Sequence, residues 1–283
     1  MDSTPAHAEW NAFGRAHAAQ RWRRQSAAMG REMTEAIVAE TRVEPGMRVL
    51  DVACGTGEPA ISLALLLKNT GLVLGIDISA EPLKLAAQRV RQRELSHVAF
   101  QQADVHHLPF PDAYFHRVTS RLGVMFFSDP ARALGEMRRV LKPNGRVTLL
   151  AWGPMQQPYF ESTIGTILHA VPGSALPATC LQMFRFAEAG TLATALAEAG
   201  FSNIEEEFRV IPWSWPGEPE EVWDYFQAVT VPFRPLIDAI PDHQRGTVNA
   251  EVLKAIRRYY DGSQVKFTAS ICLVSCGNGA PKT

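Results

Sequence analysis

The sequence predicts a doubly wound α/β fold, a mostly parallel sheet with helices on both faces, and three observations carry that prediction. The apolar run Val49-Leu ends on the carboxylate Asp51, Gly55-Thr-Gly57 follows, and Pro59 opens an apolar helical segment from Ile61 to Leu67. Glycines in a strand-to-helix turn let the backbone approach a ligand closely, because no Cβ stands in the way. The next apolar run, Leu72 to Ile76, ends on Asp77, twenty residues beyond Gly57. A doubly wound sheet puts such an acidic side chain at the tip of the neighbouring strand, where it accepts hydrogen bonds from ribose hydroxyls. Finally, strand and helix signals alternate as far as residue 151. A nucleoside-containing cofactor is the first expectation.

Residues 7–40 read as helical: they are alanine-rich, with Trp10, Trp22, Met29, Met33 and Ile37 at mixed three- and four-residue spacings. They make an N-terminal helical arm, residues 1–44, and Pro45-Gly46 marks the turn out of it. Next come strand 47–53, helix 59–69, strand 72–77, helix 80–93, strands 97–101 and 114–119, helix 130–141 and strand 146–151. The helix after Ser128 is punctuated at both ends, with Asp129 as N-cap, Pro130 in the first turn and Pro143-Asn-Gly145 as the stop. Beyond residue 152 the pattern loosens. Short helical stretches are expected at 160–169 and 176–184, a helix at 191–199, a strand at 204–215, a helical insertion at 217–260 and a last strand at 265–276. The core is thus expected to run from 45 to 216, with a helical cap at 217–260 and the last strand and tail at 261–283.

Which nucleoside is a separate question. Gly55-Thr-Gly57-Glu-Pro-Ala60 also satisfies the loose dinucleotide fingerprint, so an NAD(P)-dependent oxidoreductase is one alternative. Asp51 is an awkward neighbour for a pyrophosphate, however, and suits the amino group and sulfonium of S-adenosylmethionine. Pro59 also removes an amide donor from the helix N-terminus, where a phosphate needs donors.

Four motifs in order extend this. Val49-Leu-Asp-Val-Ala-Cys-Gly-Thr-Gly57, Gly75-Ile-Asp77-Ile-Ser79, Ala103-Asp104 leading to Leu108-Pro-Phe-Pro-Asp112, and Arg139-Val-Leu-Lys-Pro143-Asn-Gly145 resemble class I S-adenosylmethionine-dependent methyltransferases. Within that group the chain is most similar to the branch that includes the ubiquinone/menaquinone biosynthesis enzymes, over about residues 45–152. Asn144, where the family more often has glycine, and His106-His107, in a loop where small or acidic residues are commoner, depart from the pattern. Asparagine tolerates the left-handed turn that Asn144 would need.

The resemblance implies a Rossmann-like seven-stranded sheet whose last strand is antiparallel and inserted beside the edge strand, with the 217–260 cap over the sheet's carboxyl edge. It also implies the cofactor-binding set. Gly55 and Gly57, with Ala53 in the same turn, meet the methionine half, and Asp51 reaches its amino group directly or through water. Asp77 takes the ribose hydroxyls and Ile78 packs on the adenine. Asp104 accepts from the adenine amino group, the Val105 amide addresses a ring nitrogen, and Ser120 touches the methionine part. Trp22 is a candidate lid on the cofactor, or else a packing residue of the arm. Methyl transfer asks mainly for alignment and exclusion of water, so no catalytic residue need be visible. His106 and His107 are candidates for a general base because histidine titrates near working pH.

The balance of 28 basic against 29 acidic residues leaves no field for drawing in nucleic acid or an anionic bilayer. Ser120-Arg-Leu-Gly123 stands where methylation of base amines uses an Asn/Asp-Pro-Pro-aromatic motif. The four cysteines lack zinc spacing, and no metal site is expected. Reduced cysteines, no visible signal peptide and no membrane-length apolar run suggest a cytoplasmic protein. Trp10, Trp22, Trp213, Trp215 and Trp223, with Tyr225, Phe226 and Phe233, suit an apolar acceptor pocket, although most of them are expected to pack the cap's own inner face. The expected activity is methylation of a largely apolar small molecule at oxygen or carbon. A cofactor-binding protein without turnover is the other alternative.

Overall fold

A computed structural model describes residues 20–279. Trp10 lies outside the described residues. Helices α1 (Arg23–Met29) and α2 (Arg31–Thr41) lead into β1 (Arg48–Val52). Alternation then follows the predicted order: α3 (Ala60–Leu67), β2 (Leu72–Asp77), α4 (Ala80–Gln92), β3 (Val98–Gln102), β4 (Phe115–Arg121), α5 (Pro130–Val140) and β5 (Leu141–Trp152). After two short helical stretches come α6 (Thr191–Glu198), β6 (Ser202–Pro216), α7 (Pro219–Val229), α8 (Asp242–Arg257) and β7 (Gln264–Gly277).

The seven strands form one sheet in the order β3-β2-β1-β4-β5-β7-β6. Neighbours from β3 to β5 are parallel, in registers such as Leu50 opposite Leu74 and Val118. β7 runs the other way. Asn278 N–H donates to the Gly145 carbonyl and Gly153 N–H to the Ser270 carbonyl, so one number rises as its partner falls. β7 therefore sits between β5 and the edge strand β6, the arrangement that the resemblance implied.

The described residues pack as two compact units. One holds 33–151, 186–209 and 272–279. Its core lies where α3 and α4 cover the parallel strands, with Val49, Ile61, Leu63, Leu67, Val73, Val90 and Val98 buried together. The predicted punctuation of α5 holds: Asp129 Oδ1 accepts from Arg132 N–H at 3.0 Å, and Pro130 occupies the first turn. Asn144 adopts φ +61°, the left-handed turn that its type tolerates.

The other unit holds 20–32, 152–185 and 210–271, so residues 152–185 pack with α7 and α8. Its core is aromatic. Tyr159 lies with its ring centroid 4.4 Å from Trp213, 5.7 Å from Phe226 and 5.6 Å from Phe267, and Phe226 stacks on both Trp223 and Phe233. Trp213, Trp215, Trp223, Phe226 and Phe233 are all buried. These rings form the packed interior of this unit, the role expected for most of them. The physical reason is that short helices rich in proline need large side chains to close an inner face. Among the described residues no helix is long and apolar enough to cross a membrane.

Candidate cofactor site

In the sheet order β3-β2-β1-β4 the chain works outward from β1 to β3 and then returns to β1's other side. Such a reversal opens a crevice at the carboxyl ends of the two central strands, the usual ligand position in open α/β sheets. Of the residues named from the sequence, Asp51, Asp77 and Ser120 stand on β1, β2 and β4, Ala53, Gly55 and Gly57 in the turn after β1, and Asp104 and Val105 just after β3.

The turn after β1 is held in left-handed conformations at Ala53 (φ +56°) and Gly55 (φ +53°), with Gly57 at φ +107°. The two glycines serve different purposes. A Cβ on Gly57 would lie 2.8 Å from Ile61 Cδ1 and 3.2 Å from Ala86 Cβ, so its absence lets α3 and α4 close on the turn. A Cβ on Gly55 would meet nothing within 4 Å, so this backbone faces open space that a ligand can fill. At the tip of β2, Asp77 Oδ2 accepts from Gly55 N–H and its Oδ1 from Ser79 N–H, both at 2.9 Å. These bonds fix the half-buried carboxylate beside the glycine turn. Ile78, also half-buried, is held by Gln102, whose side chain donates to the Ile78 carbonyl at 2.8 Å.

Beyond β3, Asp104 caps a short turn, Val105–His107, in which Val105 is buried. Partial burial raises its pKa, but the His106 amide and ring outweigh that and hold the carboxyl below its usual range. In β4, Ser120 is fully buried and its Oγ has no hydrogen-bond partner. An orphaned buried hydroxyl needs an explanation, and a polar ligand atom is a fitting one. A Cβ on Gly123 would stand 2.6 Å from both Ser120 Oγ and Ala53 Cβ, so the ends of β1 and β4 interlock. Open backbone at Gly55, a placed carboxylate at Asp77 and an orphaned hydroxyl at Ser120 all fit S-adenosylmethionine.

Three candidates are more enclosed or engaged than the sequence alone suggests. Asp51 lies under the turn with no exposure. Its Oδ1 accepts from Thr119 Oγ1 at 2.9 Å and its Oδ2 from Ala60 N–H at 3.1 Å, so it braces the turn from beneath. The cause is tertiary, since α3 folds its N-terminus directly over the β1 tip. Neither histidine presents a base. Both ring nitrogens of His106 are engaged, Nδ1 with Asp104 at 2.6 Å and Nε2 with Asp129 N–H at 3.2 Å. His107 is exposed, with Nε2 against the Arg132 guanidinium. Trp22 is buried, its ring packed edge-on against Tyr225 at 6.0 Å, which favours packing over a lid.

The sequence reading missed Thr119 and Arg89. From α4, Arg89 Nη1 donates to the Thr56 carbonyl at 2.8 Å and to Thr56 Oγ1 at 2.9 Å, clamping the glycine turn. An arginine on an amphipathic helix carries no local sign of that task.

Burial pushes the Asp51 carboxyl up from 3.8 to about 7, against the pull of the Thr119 hydroxyl and the Ala60 amide. An acid whose pKa is raised by folding binds its proton better in the native state, so its contribution to stability falls as pH rises from about 4 to 7. Asp51→Asn should therefore gain on wild type with rising pH, by on the order of 2–3 kcal/mol between pH 5 and pH 8. Urea melts of both proteins at the two pH values measure the difference, and a constant gap would show that Asp51 is charged throughout.

Together the switch point, the open glycine turn and the carboxylate at the β2 tip define a nucleoside-binding α/β protein. A family model described as a methyltransferase domain matches residues 50–149. Demethylmenaquinone methyltransferase of Lactiplantibacillus plantarum is 35% identical over 178 residues, spanning 59% of this chain and 75% of that protein. Ubiquinone/menaquinone biosynthesis C-methyltransferase of Yersinia pestis is 31% identical over 173 residues, 57% of this chain and 69% of that protein. Among solved structures, a SAM-dependent methyltransferase from Aquifex aeolicus shares the fold, with a TM-score of 0.52 at 20% identity over 71% of this chain and 93% of that one. The chain belongs to the S-adenosylmethionine-dependent methyltransferases, in the branch of the ubiquinone/menaquinone biosynthesis enzymes.

Proposed function

We propose that the chain methylates a ring carbon or ring hydroxyl of an apolar, quinol-like aromatic acceptor. The observation that carries this reading is the convergence of Gly55, Asp77, Asp104 and Ser120 on one crevice, in a chain whose relatives are named for quinone-type acceptors. Bound there, S-adenosylmethionine supplies an electrophilic methyl group on its sulfonium. Asp77 takes the ribose hydroxyls, with Ile78 against the adenine. Asp104 accepts from the adenine amine and the Val105 amide donates to the ring. Gly55 allows close approach of the methionine half, and the Ser120 hydroxyl gains a partner.

No described side chain in this crevice holds a free imidazole for the acceptor's proton, since both nitrogens of His106 are occupied. That favours acceptors whose own hydroxyl activates the ring, so that the protein's contribution is alignment and dryness. The near balance of charge in the chain agrees with an uncharged acceptor.

The test incubates the protein with methyl-labelled S-adenosylmethionine and a panel of naphthoquinols, benzoquinols, amino acids, sugars and polyamines. We expect label in the quinols, with NMR of the product placing the methyl on carbon or oxygen. Labelling of the polar acceptors alone overturns the proposal. Binding of S-adenosylhomocysteine with no turnover on any quinol would favour a cofactor-binding protein instead.

A further inference from the structure

We propose that His106 is a positioning residue for adenine recognition, holding the Asp104 carboxylate so that one oxygen, Oδ2, is presented to the cofactor. The inference rests on the reading of Asp104 as the adenine acceptor given above, and adds a residue specific to this chain. Asp104 Oδ1 accepts twice from the same residue, from His106 N–H at 2.9 Å and from its ring Nδ1 at 2.6 Å. The far side of the ring is tied as well: Nε2 faces Asp129 N–H at 3.2 Å and Ser128 Oγ at 3.4 Å. An amide N–H can only donate, so Nε2 keeps its lone pair and the ring proton resides on Nδ1, directed at Asp104.

The ring cannot swing away. Phe127 meets it edge-on, centroids 6.4 Å apart at 77°, and Arg132 Nε donates to the His106 carbonyl at 3.0 Å. His106 thus links the carboxylate to the first turn of α5, the element with the best-defined cap in this part of the chain. With Oδ1 committed to His106, Oδ2 is the oxygen left to recognise the exocyclic amine. His107 Nδ1, on an exposed ring, lies 3.9 Å from it. Without the imidazole, the His106 N–H alone holds Oδ1, and the carboxylate gains freedom about its last torsion that each ligand must then remove.

The experiment measures binding of S-adenosylhomocysteine and of S-inosylhomocysteine, in which oxygen replaces the exocyclic amine, to the full chain by calorimetry. Asp104→Ala tests the reading on which the inference rests: it should erase the preference for the adenine ligand. An Asp104→Ala protein that keeps the preference overturns both. Given that loss, His106→Ala should weaken S-adenosylhomocysteine binding about tenfold and narrow the preference. His106→Asn, whose amide places an N–H near the Nδ1 position, should restore both to within about threefold. His106→Gln, which reaches only the Nε2 position, should not. If His106→Ala fails to fold, the Asn and Gln variants decide the matter. A Gln variant as good as Asn, or a His106→Ala protein that melts lower but discriminates as wild type does, would make the histidine a structural link only and overturn the proposal.

Discussion

Asp77→Ala should lower affinity for S-adenosylhomocysteine by ~2–4 kcal/mol, roughly 30- to 1,000-fold. Two losses combine. The variant removes the charge-assisted acceptor proposed for the ribose hydroxyls, and it releases Gly55, whose N–H donates to Asp77 Oδ2 at 2.9 Å. Asp77→Asn separates these contributions, because an amide oxygen can still accept from Gly55 while the charge is gone. We expect it to fall between wild type and Asp77→Ala. Calorimetry with S-adenosylhomocysteine measures both, and wild-type affinity in Asp77→Ala would mean that the ribose lies elsewhere.

The two glycines of the turn should fail in opposite ways. Gly57→Ala puts a methyl 2.8 Å from Ile61 Cδ1 at φ +107°, a conformation that L residues rarely adopt. A cost of ~2–4 kcal/mol in stability follows from overpacking and backbone strain together. Gly55→Ala meets no atom within 4 Å and needs only φ +53°, close to the +56° that Ala53 already adopts. Its stability cost should stay at ~1–2 kcal/mol. Its methyl, however, projects into the space proposed for the cofactor, so S-adenosylhomocysteine binding should fall at least about tenfold, as for a steric block in a close backbone contact. Thermal melts and calorimetry on the two variants form a two-by-two comparison. Gly55→Ala binding as tightly as wild type would remove the backbone contact from the proposed site.

What the sequence made legible was local. Asp129 before Pro130 caps a helix wherever that helix packs, Asn144 takes a left-handed turn by its own chemistry, and the run into Asp77 ends a strand by its own pattern. What stayed hidden depended on distant partners. That Asp51 is buried under α3 and bonded to Thr119, sixty-eight residues away, has no local sign in its motif. His106 reads as a base until Asp129, twenty-three residues on, occupies its second nitrogen. Trp213, Trp223 and Phe226 read as pocket or core with equal ease, because an apolar ring looks the same in sequence whether it faces a ligand or another ring. The order β5-β7-β6 came from the resemblance, since no local signal says that a last strand inserts beside an edge.

That edge position has a consequence for solubility. Among the described residues β6 has a neighbouring strand on one side only, which leaves the other side able to template pairing with a second chain. Glu205 and Glu207 are exposed at alternate positions along it, paired with Arg146 and Arg209, and Pro212 and Pro216 break its run of amide donors. Charged side chains along an edge must stay solvated, and proline denies a copy of the strand laid alongside a continuous ladder. Val210, three-quarters exposed, is the unguarded point in that row. At this edge the strand thus carries two features that discourage edge-to-edge pairing, charge and proline.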